Sequence, residues 1–256
     1  MNTIISENKA YWSSRAASYS EINQGELADA HRERWKTLLT ERITARFPNA
    51  PAGQLRVLEV GTGPGFFAII LTEAGYSVTA VDLTPNMLAE AKRNAGPLAG
   101  RIDFREMNAE ALAFPDGSFD VIVSRNLTWN LPHPEQAYGE WCRVLRSGGL
   151  LLNFDANWYG YLFDDAAKDA YEQDRRNTAE QGYQDQNMGD NFEVMEDIAR
   201  RIPLSSVRRP VWDSTVLTGL GMAVTTEEEI GRLVWSAAEQ TAFGSTPMFL
   251  VSAIRQ

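Results

Sequence analysis

The 256-residue chain has one cysteine, Cys142, and two histidines, His31 and His133. A single thiol excludes an intramolecular disulfide and any cysteine-based metal cluster. No paired-aspartate cluster demands a metal either, so none is expected. Cys142 falls in a helical stretch and reads as a core-packing thiol. Basic residues are scarce, 24 Lys and Arg against 34 Asp and Glu, giving a formal net charge of −10. Such a surface repels phosphate backbones and argues against RNA or DNA as a partner. The nearest approach to a basic patch is Arg200, Arg201, Arg208 and Arg209, which read as solvated helix and loop ends. The longest apolar runs, 66–71 and 150–152, are far too short to span a bilayer. Residues 1–9 carry no apolar signal-peptide region. The expectation is a cytoplasmic protein with no membrane partner. Oligomeric state is not legible.

What is present starts at residues 57–65, Val-Leu-Glu-Val-Gly-Thr-Gly-Pro-Gly. Val57, Leu58 and Val60 suit a buried parallel strand. Gly61, Gly63 and Gly65 let the backbone turn tightly and approach a ligand. Helical character follows from Phe66. A second strand, Val-Thr-Ala-Val at 78–81, ends on Asp82. A carboxylate there can accept both hydroxyls of a ribose. A dinucleotide fingerprint G-x-G-x-x-G would need its third glycine at position 66, which is phenylalanine. The glycines are spaced G-x-G-x-G instead, so a nucleoside at the carboxyl edge of a parallel sheet is expected, held without the dinucleotide motif.

Strands and helices alternate from 55 to about 154, which argues for a parallel sheet covered on both faces. Strands are predicted at 56–60, 77–82, 102–107, 119–124 and 150–155. Thr84 and Pro85 predict a helix start as N-cap and first-turn proline. Pro134 opens a further helix that ends near Ser147-Gly148-Gly149. Residues 156–210 are long and polar. A helix is predicted over about 161–181. Another is opened by a capping box of Asp190 with Glu193, with Phe192, Met195, Ile198, Ala199 and Ile202 on one face. A short helix over 212–217 and a strand at 222–224 follow. Thr226 with Glu229 reads as a second capping box, with Ile230, Leu233, Val234 and Ala237 turned inward. Residues 248–254 read as the last strand.

The Glu59 to Gly65 loop, with its strand, helix, second strand and terminal Asp82, resembles motif I of class I S-adenosylmethionine-dependent methyltransferases. Residues 114–120, Phe-Pro-Asp-Gly-Ser-Phe-Asp, resemble that family's loop into the fourth strand. Residues 143–149, Arg-Val-Leu-Arg-Ser-Gly-Gly, resemble its helix end before the fifth. Both are typical of the branch that methylates small molecules and quinone precursors. The resemblance covers about 11–155 well and the C-terminal third loosely. It implies an α/β, Rossmann-like, doubly wound, mostly parallel seven-stranded sheet, with 248–254 as an antiparallel strand. It implies one domain over 1–256: a helical cap (1–50), a cofactor-binding core (55–155), an acceptor lid (156–210) and a completing segment (211–256).

The cofactor implied is S-adenosyl-L-methionine, leaving as S-adenosyl-L-homocysteine. By resemblance, Gly61, Thr62, Gly63 and Gly65 face its methionine part, and Glu59 positions its amino group or the loop. Asp82 takes the ribose, and Leu83 and Met87 pack on the adenine. The family's acidic residue after the third strand is here Asn108, in Asn108-Ala109-Glu110, whose amide oxygen can still accept the adenine amino group. Arg125 and Asn126, after the fourth strand, correspond to residues that contact the methionine group. The segment from Tyr11 to Tyr19 resembles the helix that folds over the cofactor, placing Tyr11, Trp12 and Tyr19 near the sulfonium, where a ring face favours a cation.

Methyl transfer from a sulfonium is an in-line displacement that needs a base only if the acceptor loses a proton. Tyr19, His133 and Asp155 are the candidates, although His133, just before a helix, also suits a cap. His31 reads as a half-exposed helix histidine. Trp129, Asn130, Asp155, Trp158 and Tyr159 are candidates for an acceptor pocket under the lid. The (D/N)-P-P-(Y/F/W) signature of amide and exocyclic-amine methylation is absent, since 124–127 read Ser-Arg-Asn-Leu, and arsenic methylation would need several cysteines. The partner expected is a small-molecule acceptor; a protein or tRNA acceptor and a non-catalytic binder are the alternatives.

Overall fold

The computed structural model describes residues 3–183 and 191–256. Two helices open the chain, α1 (Thr3–Ala28) and α2 (His31–Arg46). The buried positions of α1 are Asn8, Tyr11, Ala16, Ser20 and Asn23, with Ala16 the one aliphatic residue among them. In α2, Trp35, Leu38, Leu39 and Ile43 recur at helical spacing and face the core.

The alternating core follows as β1 (Arg56–Val60), α3 (Phe66–Glu73), β2 (Ser77–Asp82), α4 (Pro85–Ala95), β3 (Ile102–Glu106), β4 (Phe119–Arg125), α5 (Pro134–Val144) and β5 (Leu145–Asp155). Then come α6 (Asp165–Glu180), α7 (Phe192–Ala199), α8 (Val211–Gly219), β6 (Met222–Glu227), α9 (Gly231–Val234), α10 (Ala237–Ala242) and β7 (Phe249–Arg255). The sheet has seven strands in the order β3-β2-β1-β4-β5-β7-β6. β7 runs antiparallel to both neighbours, and the pairs among β1 to β5 are parallel. Both faces of the sheet are covered. Val57 packs on the side of Trp35, Phe67 and Ile70, while Leu58 and Val60 pack on the side of Tyr138 and Trp141. The strand order reverses between β1 and β4, and a crevice beyond the carboxyl ends of such strands is where open α/β sheets bind ligands.

Three local expectations need correction. β5 begins at Leu145, directly after α5, because Leu145 pairs with Phe119 before a bulge brings Leu150 opposite Val121. Thr226 is not an N-cap: it pairs with Val251 inside β6, and Glu229 has a left-handed φ of 57°. The capping box in this region is Ser236 with Glu239, opening α10, and Leu233 faces solvent. At α7 the residue before the helix is Asn191 in a left-handed conformation, while Asp190 lies outside the described residues. The inward face expected for α7 is present, with Met195, Ile198, Ala199 and Ile202 buried, three of them beside Tyr11 and Trp129.

Candidate functional site

The turn after β1 is tied to β2 by its own backbone. The N–H groups of Gly61 and Thr62 both donate to the Val81 carbonyl, at 2.9 and 3.0 Å. Gly61 has φ 72°, and a Cβ there would lie 2.6 Å from Leu127 Cδ2, so only glycine fits between the turn and the segment after β4. The Asp82 carboxylate closes the arrangement. Its Oδ2 accepts from Gly63 N–H at 2.9 Å and its Oδ1 from Thr84 N–H at 2.8 Å. Burial raises the Asp82 pKa, and these backbone donors oppose the rise. Thr84 stands at the N-cap of α4 with no side-chain cap bond.

Glu59 lies beneath the turn, 3% exposed. Its Oε2 accepts from Thr62 Oγ1 at 2.6 Å and from the Ala68 N–H at 2.8 Å. Burial pushes its carboxyl up to about 7, against the pull of those two donors. An acid whose pKa is higher folded than unfolded stabilises the fold while protonated, and that contribution fades as pH rises from the unfolded value through the folded one. Between pH 5 and 8 the Glu59→Gln variant is therefore expected to gain about 2–3 kcal/mol on the wild type, from about 1.36 kcal/mol per pKa unit. Urea unfolding at the two pH values measures the gain; a difference independent of pH would refute it.

A cavity opens above this turn. It is lined by Glu59, Gly61, Thr62, Gly63, Asp82, Leu83, Met87, Asn108, Ala109, Glu110, Arg125 and Asn126, together with Trp12, Tyr19 and Asn130. Asn108 makes a local turn in which its Oδ1 accepts from Glu110 N–H at 3.0 Å. Glu110 is buried and binds the backbone N–H of His133 at 2.7 Å. Four buried amide oxygens belong to residues of this lining, those of Asn8, Asn23, Asn126 and Asn130, and none has a hydrogen-bond partner among the described residues. Unpaired buried acceptors are costly, so four on one cavity mark a site for a ligand rich in donors. Gly65 does not line it. It caps α3 with φ 96°, and a Cβ there would come within 3.0 Å of Ala91 Cβ, so its role is the packing of α3 on α4.

A second cavity adjoins the first. Its walls are aromatic: Tyr11, Trp12, Trp129, Trp158, Tyr159, Tyr161, Tyr171, Phe192, Trp235 and Phe243, with Arg15, Glu26 and Glu239 among them. Trp12, Tyr19, Arg125 and Asn126 line both cavities. Arg125 is held there by a bidentate pair with Glu26, both bonds 2.9 Å, and its guanidinium lies 4.6 Å from the Phe66 ring centre. Burial acts to lower the Arg125 pKa, but Glu26 outweighs it and the pKa is raised. Asn126 adopts a left-handed φ of 56°, anchored by its N–H to the Phe154 carbonyl at 2.8 Å.

Several expected site residues lie elsewhere. Tyr11 lines the aromatic cavity and not the one above the glycine turn, while Asn130 does the reverse. His133 lines neither; its Nδ1 lies 3.0 Å from Glu110 Oε2 at the start of α5. His31 is buried instead of half-exposed, with Nε2 2.7 Å from Glu239 Oε2. Asp155 is fully buried and lines neither cavity. It accepts from Trp129 N–H (2.9 Å), Ala156 N–H (2.9 Å), Trp158 Nε1 (3.2 Å) and Arg209 Nη1 (2.7 Å). Its lone pairs are committed, so it is no general base. Arg209 is not solvated: it bridges Asp155 and Asp213 with no side-chain exposure. Cys142 is a buried core thiol, pushed up to about 11 by burial.

Sequence reasoning missed Arg15, Glu26, Tyr171, Phe192, Trp235, Glu239 and Phe243 in the aromatic cavity. Only for α1 was a signal available: Tyr11, Arg15, Tyr19, Ile22 and Glu26 recur at three- and four-residue steps, on one face of a helix. Among the described residues, no group of three metal-ligating side chains converges and no helix is long and apolar enough to cross a membrane.

Residues 58–153 match the family described as "Methyltransferase domain". The ubiquinone/menaquinone biosynthesis C-methyltransferase UbiE of Methylobacterium nodulans is 37% identical over 160 residues, covering 61% of this chain and 62% of that protein. The phosphatidylethanolamine N-methyltransferase of Cereibacter sphaeroides is 38% identical over 110 residues, covering 42% of this chain and 53% of that protein. The chain thus spans less than two thirds of the length of these curated relatives. Among solved structures, phosphoethanolamine N-methyltransferase 2 of Haemonchus contortus, with phosphomonomethylethanolamine and S-adenosylhomocysteine, shares the fold with a TM-score of 0.56. It is 16% identical, over 84% of this chain and 52% of that one. The motif-bearing turn and the seven-stranded order agree with these similarities: residues 58–153 carry a methyltransferase domain, on a fold shared with solved methyltransferase structures.

Proposed function

We propose that the protein transfers a methyl group from S-adenosylmethionine to a small-molecule acceptor. The observation that carries this reading is the junction of the two cavities at Trp12, Tyr19, Arg125 and Asn126. The donor chemistry of the first cavity fits the cofactor. Asp82 offers acceptors to two ribose hydroxyls, and Leu83 and Met87 offer an apolar bed for the adenine. The unpaired amide oxygens of Asn8, Asn23, Asn126 and Asn130 suit an ammonium group. When bound, the cofactor supplies an electrophilic methyl on a sulfonium.

The protein's own contribution is alignment and exclusion of water. Trp12 and Tyr19 present ring faces where a sulfonium is favoured. Of the three base candidates only Tyr19 reaches both cavities. Its phenol pKa is raised, chiefly by burial, so at neutral pH it stays protonated and acts as a hydrogen-bond donor that orients the acceptor. The relatives named for quinone and phosphatidylethanolamine chemistry support a small or lipid-like acceptor, and the net charge of −10 speaks against a nucleic acid. Within the described residues of 156–183, Trp158, Tyr159, Tyr161 and Tyr171 line the second cavity and form the acceptor lid of this reading.

The test is incubation with methyl-labelled S-adenosylmethionine and a cell extract, followed by separation by size. Label is expected in the small-molecule fraction. Label confined to protein or tRNA would transfer the assignment to a macromolecular acceptor. Cofactor binding without label in any fraction would count against catalysis.

A further inference from the structure

The charges around the aromatic cavity are unequally committed. Glu26 is taken up by Arg125 in a bidentate pair, with both bonds 2.9 Å. Glu239 accepts from Ser236 N–H at 2.8 Å and Ser236 Oγ at 2.9 Å, and His31 Nε2 lies 2.7 Å away. Arg15, half-buried on the same face of α1, has a guanidinium with no hydrogen bond or carboxylate partner among the described residues. Its charge acts on the phenols of Tyr11, Tyr19 and Tyr159: burial raises all three, and Arg15 opposes the rise. A guanidinium left unpaired beside three phenol donors, in a cavity whose other charged side chains are already paired, lacks the anion that its fork of donors matches. Much of the remaining wall is made of flat rings, among them Trp12, Trp129, Trp158, Tyr159, Trp235 and Phe243. Such faces and edges are best met by another ring in offset or edge contact. One uncommitted positive charge matches one negative charge, a carboxylate in preference to a phosphate dianion.

Resting on the methyl-transfer reading, we propose that the acceptor is an aromatic carboxylate whose ring lies between the indole walls and whose carboxylate is held by Arg15.

The probes are 2-naphthoate and its neutral isostere 2-naphthamide, titrated calorimetrically into wild type and into Arg15→Gln and Arg15→Lys, each with and without S-adenosylhomocysteine. Wild type is expected to bind naphthoate about tenfold or more tightly than naphthamide. Arg15→Gln is expected to erase that preference while leaving naphthamide affinity within about twofold, and Arg15→Lys to restore part of it. Equal affinity of the two probes for wild type, an equal loss of both in Arg15→Gln, or binding of neither probe would overturn the proposal. S-adenosylhomocysteine affinity separates the two readings. If it binds while naphthoate shows no Arg15-dependent preference, only the acceptor class falls. If it does not bind, the cofactor assignment falls, whatever the probes do.

Discussion

Arg209→Ala is expected to destabilise the fold by about 3–5 kcal/mol, the range for removing one partner from a buried ion pair. The reason is the surroundings of the guanidinium. Nε and Nη2 bind both oxygens of Asp213 at 2.9 and 2.6 Å, Nη1 binds Asp155 at 2.7 Å, and Nη2 also reaches Thr128 Oγ1 at 2.6 Å. None of the three charged side chains has any exposure. Alanine would leave two carboxylates facing each other's field in a low-dielectric interior with no counter-charge. Tyr138 Oη, donating to Asp213 Oδ1 at 2.5 Å, and Asn153 Nδ2, donating to Tyr138 Oη at 2.9 Å, would lose a fixed partner geometry. Changing the whole set together, Arg209→Met with Asp155→Asn and Asp213→Asn, is expected to recover much of the loss, since no bare charge remains. Urea denaturation of both variants decides it. A single variant within about 1 kcal/mol of wild type would show that the network contributes little net energy. The same carboxylate that Arg209 neutralises also holds Trp129 N–H and Trp158 Nε1, so the damage extends to two walls of the aromatic cavity.

Asp82→Ala is expected to weaken binding of S-adenosylhomocysteine by about 2–4 kcal/mol, the loss of two charge-assisted hydrogen bonds. That is roughly a 30- to 1000-fold rise in Kd at about 1.4 kcal/mol per tenfold. The carboxylate has a second task, since it accepts from Gly63 and Thr84 N–H and holds the glycine turn against the start of α4. Asp82→Asn separates the two contributions. It keeps an acceptor for one backbone donor while removing the charge, and it is expected to fall between wild type and Asp82→Ala. Calorimetry on folded protein measures all three. An Asp82→Ala variant with unchanged affinity would remove the ribose assignment.

The regions legible in the sequence were those where local backbone chemistry leaves few choices. A short apolar run, then three glycines, then a helix, then a second strand ending in aspartate has essentially one arrangement in an open parallel sheet, and β1, α3, β2 and Asp82 follow it. The end of the chain was read less well, because a capping-box pattern does not specify its own context. Thr226 and Glu229 have the right spacing, yet Thr226 is claimed by its sheet partner Val251, and the real box lies ten residues on at Ser236. Gly65 shows the same ambiguity at a single residue, since a glycine serving helix packing and one serving a ligand look alike in sequence.

The aromatic cavity was legible only in fragments. Its walls come from α1, from the end of β4 and the turn after it, from the segment after β5, and from α9 to α10, and no spacing rule connects Trp12, Trp129, Trp158 and Trp235. The inward face of α1 carries Asn8, Tyr11 and Asn23 in place of leucines, so the hydrophobic periodicity that marks a packed helix is missing where the helix lines a site. Asp155 sat at the expected sheet edge, but whether such a carboxylate faces substrate or a buried arginine depends on Arg209, 54 residues away in the chain. The sequence by itself determined the glycine turn, the parallel sheet and the methyltransferase domain over 58–153, because strand, turn and helix signals act over a few residues. Only the tertiary structure decided which polar groups are spent on one another and which, like Arg15, are left for a ligand, because that balance is struck between segments that meet only in the folded chain.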